Sequence, residues 1–242
     1  MRRVILTLVI MTYSISLIAC EKKESNNDGN FQIIEASITH DTNIASTIWE
    51  IKVKGNAGET TPNPVGQLHG APVLGYVFPT TLKPSDVGFS QTDGILALAL
   101  TSHPDFDDTP LWDENNDRAY DNDGIVWHPH WVVLRKDDRV SGGLSVKQFE
   151  KEDKSVVLPP TNPGMPMYMD SPGFQVITKG NSIKVLIPDY RMNYQIKFNF
   201  DAVSAYMQVN TKIQDKPMLG VYEVYSVLST DLSLPYSVTS KK

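Results

Sequence analysis

Beyond residue 30 the chain alternates apolar and polar residues with a period of two far more often than 3.6. In residues 49–54, Trp49, Ile51 and Val53 alternate with Glu50, Lys52 and Lys54. Ile183, Val185 and Ile187 alternate with Ser182, Lys184 and Leu186, and Ile196, Phe198 and Phe200 with Gln195, Lys197 and Asn199. Each pattern predicts a strand with one face on a core and one in water. Residues 95–100 are apolar without a break, which suits a strand covered on both faces. Residues 221–228 read as a strand from their valines and tyrosines. Between these lie turn-forming clusters, notably 55–70 and the proline-rich 157–173. Helical patterning is scarce, with one or two turns expected at 146–153 and at 201–207. The expectation is a mainly β protein, an antiparallel β-sandwich or partly open barrel with long loops and one or two short helices. Residues 31–242 are taken as one such domain.

The first thirty residues follow different rules. A short positive start, Met1-Arg2-Arg3, leads into an apolar run that ends at Leu17-Ile18-Ala19-Cys20. That order describes an export signal, too short for a spanning helix of roughly 20 apolar residues. Leu17-Ile18-Ala19-Cys20 resembles the lipobox of bacterial lipoproteins, over these first twenty residues alone. The resemblance implies cleavage of residues 1–19, acylation of Cys20, and attachment to a lipid bilayer through its acyl chains. Residue 21 is Glu, and no Asp retention signal follows the cysteine, so the outer membrane is the expected site. Residues 20–30 are polar and read as a flexible tether.

Cys20 is the only cysteine, so the folded part has no disulfide and must be stabilised by a core or a bound ion. The formal charge is −6, and removal of Arg2 and Arg3 makes the processed chain more acidic still. With no Lys/Arg cluster, nucleic acid is excluded as a partner, because phosphate contacts dominate that affinity. Cations and neutral ligands suit the charge. No nucleotide-binding, nucleophile-elbow or zincin motif is present.

The candidate chemistry concentrates in residues 101–131. This stretch carries eight carboxylates, three of the five histidines and three of the four tryptophans. His103 ends one predicted strand, and His128 and His130 begin the next. Antiparallel pairing would bring them together, with His128 and His130 on one face and Trp127 and Trp131 on the other. Pro129 has no N–H, so the second strand is expected to be an edge or bulged there. Three imidazoles in this arrangement can bind zinc or copper. His69 is a candidate further ligand, and Trp112, on the loop, a candidate contact residue.

Asp113, Asn115, Asp117, Asp121 and Asp123 offer oxygens for a calcium ion. The EF-hand pattern fails here, with Arg118 where glycine is needed and Gly124 where glutamate is needed. Met165, Met167 and Met169 alternate, as thioethers do in periplasmic copper-handling proteins or as one buried face of an extended segment. Three functional readings result. A non-catalytic metal-binding lipoprotein comes first, a metal-free interaction module second and a metal-dependent hydrolase third. In the last, Asp105, Asp107 or Asp108 would serve as base.

Overall fold

The computed structural model describes residues 29–108, 113–114, 116–119 and 124–241. In chain order the strands are β1 (Ile33–Asp41), β2 (Ser46–Val53), β3 (Pro72–Pro79), β4 (Ile95–Ser102), β5 (His128–Lys136), β6 (Leu144–Val146) and β7 (Met169–Asp170). They continue as β8 (Val176–Lys179), β9 (Ser182–Pro188), β10 (Asn199–Phe200), β11 (Val203–Val209), β12 (Leu219–Val227), β13 (Tyr236–Ser237) and β14 (Thr239–Lys241).

Six of them close a barrel. The order β4-β3-β11-β12-β6-β5 is completed by pairing of β5 with β4, so each strand of the ring is hydrogen-bonded to both neighbours over part of its length. β7 adds to β5 outside this ring. A second sheet, β14-β1-β2-β9-β8, covers one side of the barrel. All its pairings are antiparallel except β1 with β14. The architecture is therefore a sheet packed on a closed barrel, and it agrees with the mainly β expectation.

Strand parity decides which residues go where. Leu74, Tyr76 and Phe78 of β3, Leu96, Leu98 and Leu100 of β4, and Trp131 and Val133 of β5 point out of the barrel into one core with Trp49, Ile51, Ile183 and Val185. Trp49 meets Trp131 edge-on at 5.7 Å between ring centroids. The alternate residues form a second core inside the barrel, among them Val73, Ala97, Ala99, Val132, Ala205 and Met207. The apolar run at 95–100 is thus buried on both faces from Leu96 onward, with Ile95 at its exposed end.

Two helical expectations need correction. Residues 203–209 form β11, in which Val203, Ala205, Met207 and Val209 all face the barrel interior. Ala, Met and Gln favour helix locally, but pairing on both sides with β3 and β12 overrides that preference. Residues 144–146 form β6, and Lys147 continues extended, donating its N–H to Val133. The only helical turns among the described residues are of the 3₁₀ type, at Pro84–Val87 and Asp189–Met192. The proline-rich stretch after 157 connects barrel to sheet and contributes β7 on the way.

Candidate metal centre

The pairing of β4 with β5 sets Thr101 against His128 and Ala99 against His130. His103 follows β4 by one residue and keeps the inward parity of Ala99 and Thr101. All three histidines are thereby turned into one end of the barrel and buried to 6% exposure or less. Pro129 pairs only with Leu100 on β4, while β7 and β6 join β5 further along. The missing N–H thus falls where β5 has no second neighbour, as expected. Trp127 and Trp131 lie on the opposite face, in the outer core.

The fourth group is Asp108, brought in by the loop after His103. One oxygen or nitrogen from each of His103, Asp108, His128 and His130 lies within 4.8 Å of the others. Asp108 Oδ1 is 3.3 Å from His103 Nε2, 3.6 Å from His128 Nε2 and 3.3 Å from His130 Nε2. A tetrahedron with metal–ligand bonds of about 2.0–2.1 Å has edges of about 3.3 Å, so these separations match a zinc-sized site. His103 Nε2 and His128 Nε2 are closer, at 2.7 Å.

The outer nitrogens are all occupied. His103 Nδ1 lies 2.8 Å from the Phe106 carbonyl, His128 Nδ1 2.6 Å from the Val126 carbonyl, and His130 Nδ1 3.0 Å from Ser171 Oγ. A carbonyl only accepts, so the protons of His103 and His128 sit on Nδ1 and the lone pairs sit on Nε2, facing inward. Asp108 Oδ1 and His130 Nε2 are buried with no hydrogen-bond partner. Two such groups in a protein interior are costly unless a cation satisfies them.

The electrostatics express the same convergence. Burial opposes a charge on His103, yet Asp108 outweighs it and raises that ring above its ordinary value. Burial drives His130 down to about 3, Asp108 working against this and the neighbouring imidazoles with it. Burial also opposes the charge on Asp108, but the electrostatic pull of the surrounding imidazoles outweighs it and holds its carboxyl well below the usual range. An ionised carboxylate beside the inward Nε2 atoms of three imidazoles is a place a cation can fill.

Loop contacts hold this end together. Phe106 stacks on His103 with ring centroids 4.2 Å apart. Glu114 accepts from the Ile125 and Val126 N–H groups at 2.7 and 2.5 Å, which fixes the carbonyl that orients His128. Asp105 Oδ1 accepts from Val65 and Gly66 N–H at 2.8 and 2.6 Å, tying the 55–70 loop to the same end.

His69 is not part of the cluster. It is half-buried in the 55–70 loop, and its Nδ1 accepts from the Thr211 N–H at 3.2 Å. The ligand position suggested for it falls to Asp108, a carboxylate that the sequence offered only as a base. In the acidic loop, Asp113 accepts from the Asp117 and Arg118 N–H groups, and Asp117 from Ala119. These carboxylates cap the loop's own amides. Asn115, Asp121, Asp123, Trp112 and Cys20 lie outside the described residues. Glu114 and Ser171 act through contacts distant in sequence and Phe106 through a loop turn three residues long, and no local motif marks any of the three.

The cluster opens onto a cavity of about 120 Å³ inside the barrel. His103, Asp108, His130 and Thr101 line one end, and the rest is nearly all apolar, including Met165, Met167 and Met169. The alternation of these methionines places all three toward the interior while Tyr168 packs in the outer core. At roughly 24 cal/mol per Å³, a void of this size costs about 3 kcal/mol.

Fold and site together define a closed β-barrel protein with a buried three-histidine, one-carboxylate cluster able to hold a metal ion. No protein-family model matches the chain, and neither do any curated protein or solved structure.

Proposed function

We propose that this is a lipid-anchored binding protein of the bacterial envelope that holds a divalent first-row transition ion, zinc or copper, through His103, His128, His130 and Asp108. One observation carries the reading. Asp108 Oδ1 and His130 Nε2 are buried and make no hydrogen bond, and they stand beside two further imidazole nitrogens whose rings turn their outer nitrogens to carbonyls. Three nitrogens and one carboxylate oxygen suit zinc or copper. They do not suit calcium, which takes six to eight oxygens. The thioethers of Met165, Met167 and Met169 on the same cavity are soft ligands that suit copper in its reduced, monovalent state rather than zinc. Anchoring follows from the lipobox at Cys20.

The second reading is a metal-dependent hydrolase, favoured by the cavity beside His130. A metal-bound water would supply the nucleophile. Asp108 is engaged with the three imidazoles, however, and the apolar lining supplies no other base, so binding ranks first.

The test is elemental mass spectrometry on the full chain, extracted with detergent and purified without chelator. Near-stoichiometric zinc or copper, lost in a His128→Ala/His130→Ala double variant, is expected. Absence of metal even after each ion is added back would overturn the reading and leave a metal-free interaction module. A Cys20→Ser variant should move the protein from the membrane to the soluble fraction.

A further inference from the structure

The barrel interior is emptier than its strand number requires. Eight strands give an interior just wide enough for side chains to fill or for one small ligand, and six give less. Here the space remains because small residues face each other across neighbouring strands. Gly75 is paired with Ala205 on one side and with Thr101 on the other, and Val77 is paired with Ala99.

The cavity is also polarised. Thr101 Oγ1 is buried and has no hydrogen-bond partner. It lines the cavity at the end where His103, Asp108 and His130 stand. The opposite end is lined by Ile95 and Val224, 37% and 39% exposed, and by Leu232 and Leu234. Those two leucines sit in a connection in which Thr230, Leu232 and Leu234 all have left-handed backbones, with φ of 75°, 57° and 55°. Such conformations are held at a cost by non-glycine residues. They turn both leucine side chains onto the barrel mouth.

We propose that the barrel interior binds a small molecule with an apolar body about the size of benzene and a single polar group. The polar group meets Thr101 Oγ1 at the end of the cavity lined by His103, Asp108 and His130. The apolar body lies against Ala99, Ala205 and Met207, and access is past Leu232 and Leu234. An apolar cavity of about 150 Å³ is known to stay dry and to admit benzene, so about 120 Å³ suits a ring of that size with slight adjustment by flexible methionines. A buried, unpaired hydroxyl selects for one hydrogen-bonding group, because an unmet polar group in such a site is penalised. Only the placement of the polar group rests on the metal reading above.

Phenol and benzene are the probes, followed by ligand-observed NMR on the full chain in detergent, with and without a chelator. Both should bind, phenol more tightly. Thr101→Val should weaken phenol several-fold and leave benzene unchanged. Ala205→Leu fills the cavity and should reduce both at least tenfold without altering metal content. Should that variant misfold, Gly75→Ala serves instead. A Cβ there clashes with the flexible Met207 Cε alone, at 2.6 Å, its other neighbours lying at ordinary contact distances of 3.5 and 3.8 Å, and it pushes that methyl into the space. Binding of neither probe, or binding that survives cavity filling in a folded variant, would overturn the proposal. Probe binding by a protein that takes up no metal even when each ion is added back would overturn the metal reading alone.

Discussion

The Nε2 atoms of His103 and His128 stand 2.7 Å apart, each with its outer nitrogen turned to a backbone carbonyl. Two inward lone pairs at that distance repel unless a proton or a cation lies between them. A proton holds them at hydrogen-bond length, whereas a tetrahedral metal would part them to about 3.3 Å. A crystal structure grown with added zinc should therefore show this separation widened by about 0.6 Å, with Asp108 Oδ1 scarcely moved. Metal should also stabilise the fold. At a free concentration 100 times Kd the gain is about 2.7 kcal/mol, or about 5–10 °C in Tm for a chain of this size. Calorimetric scans with and without chelator check this, and His128→Ala should abolish the difference.

Groups that orient the imidazoles should matter nearly as much as the ligands. Ser171 Oγ faces His130 Nδ1, and Glu114 fixes the Val126 carbonyl that faces His128 Nδ1. Ser171→Ala and Glu114→Ala should each weaken metal affinity about 10–100-fold while leaving the fold intact. Competition titrations against a chelating indicator read the affinity, and circular dichroism reads the fold. Unchanged affinity in both would mean that packing alone sets the ring orientations.

These contacts also show where the sequence stops being informative. The convergence of His103, His128 and His130 was legible because it needs only the two-residue repeat of a strand and an antiparallel return. Asp108 was not distinguishable from seven neighbouring carboxylates, because a loop has no period that fixes a side chain's direction. His69 drew attention for its loop setting, and the same lack of periodicity left it uncommitted. Barrel closure was hidden for a different reason. It depends on β6, three residues long, bridging β5 and β12. The alternation in β11 was present, but the helix-favouring Ala, Met and Gln masked it until its neighbours were known.

Closure at β6 leads to a prediction about acid. Asp137, just after β5, is buried and accepts from Arg139 Nε and Nη2 at 2.8 and 2.6 Å and from Ser145 Oγ of β6 at 2.6 Å. The Arg139 hydrogen bonds, supported by Ser145, hold its carboxyl well below the usual range against the opposing effect of burial. The unfolded chain then binds the proton more readily, so this stabilisation is fully present above the unfolded value of about 3.9 and is lost as pH falls below it. Asp137→Ala should cost about 2 kcal/mol at neutral pH, or about 4–8 °C in Tm. The deficit should shrink toward the low-pH end of a thermal-melt series. A deficit independent of pH would assign the role to packing rather than charge.

Gly124 puts the tightest steric constraint on the centre. Its φ is +117°, a region essentially restricted to glycine, and its carbonyl accepts from His103 N–H at 2.7 Å. A Cβ there would meet the His103 carbonyl oxygen at 2.2 Å, the Phe106 carbonyl oxygen at 2.5 Å and His103 Nδ1 at 2.9 Å. Two of these atoms are backbone, and the Phe106 carbonyl is what orients His103, so no side-chain rotation relieves the clash. Gly143 serves as the control, because its φ is +71° and an added Cβ there meets nothing within 4 Å. Gly143→Ala should cost only the strain of a left-handed alanine, about 1–2 kcal/mol, with metal content unchanged. Gly124→Ala adds the collision and should cost about 3 kcal/mol or more. It should also lose most of its metal, because His103 can no longer sit beneath the loop with its Nε2 aimed at Asp108. Thermal melts and elemental analysis of the two variants, measured side by side, separate backbone strain from the close approach. Equal effects on both would show that the contact over His103 does not hold the centre in place.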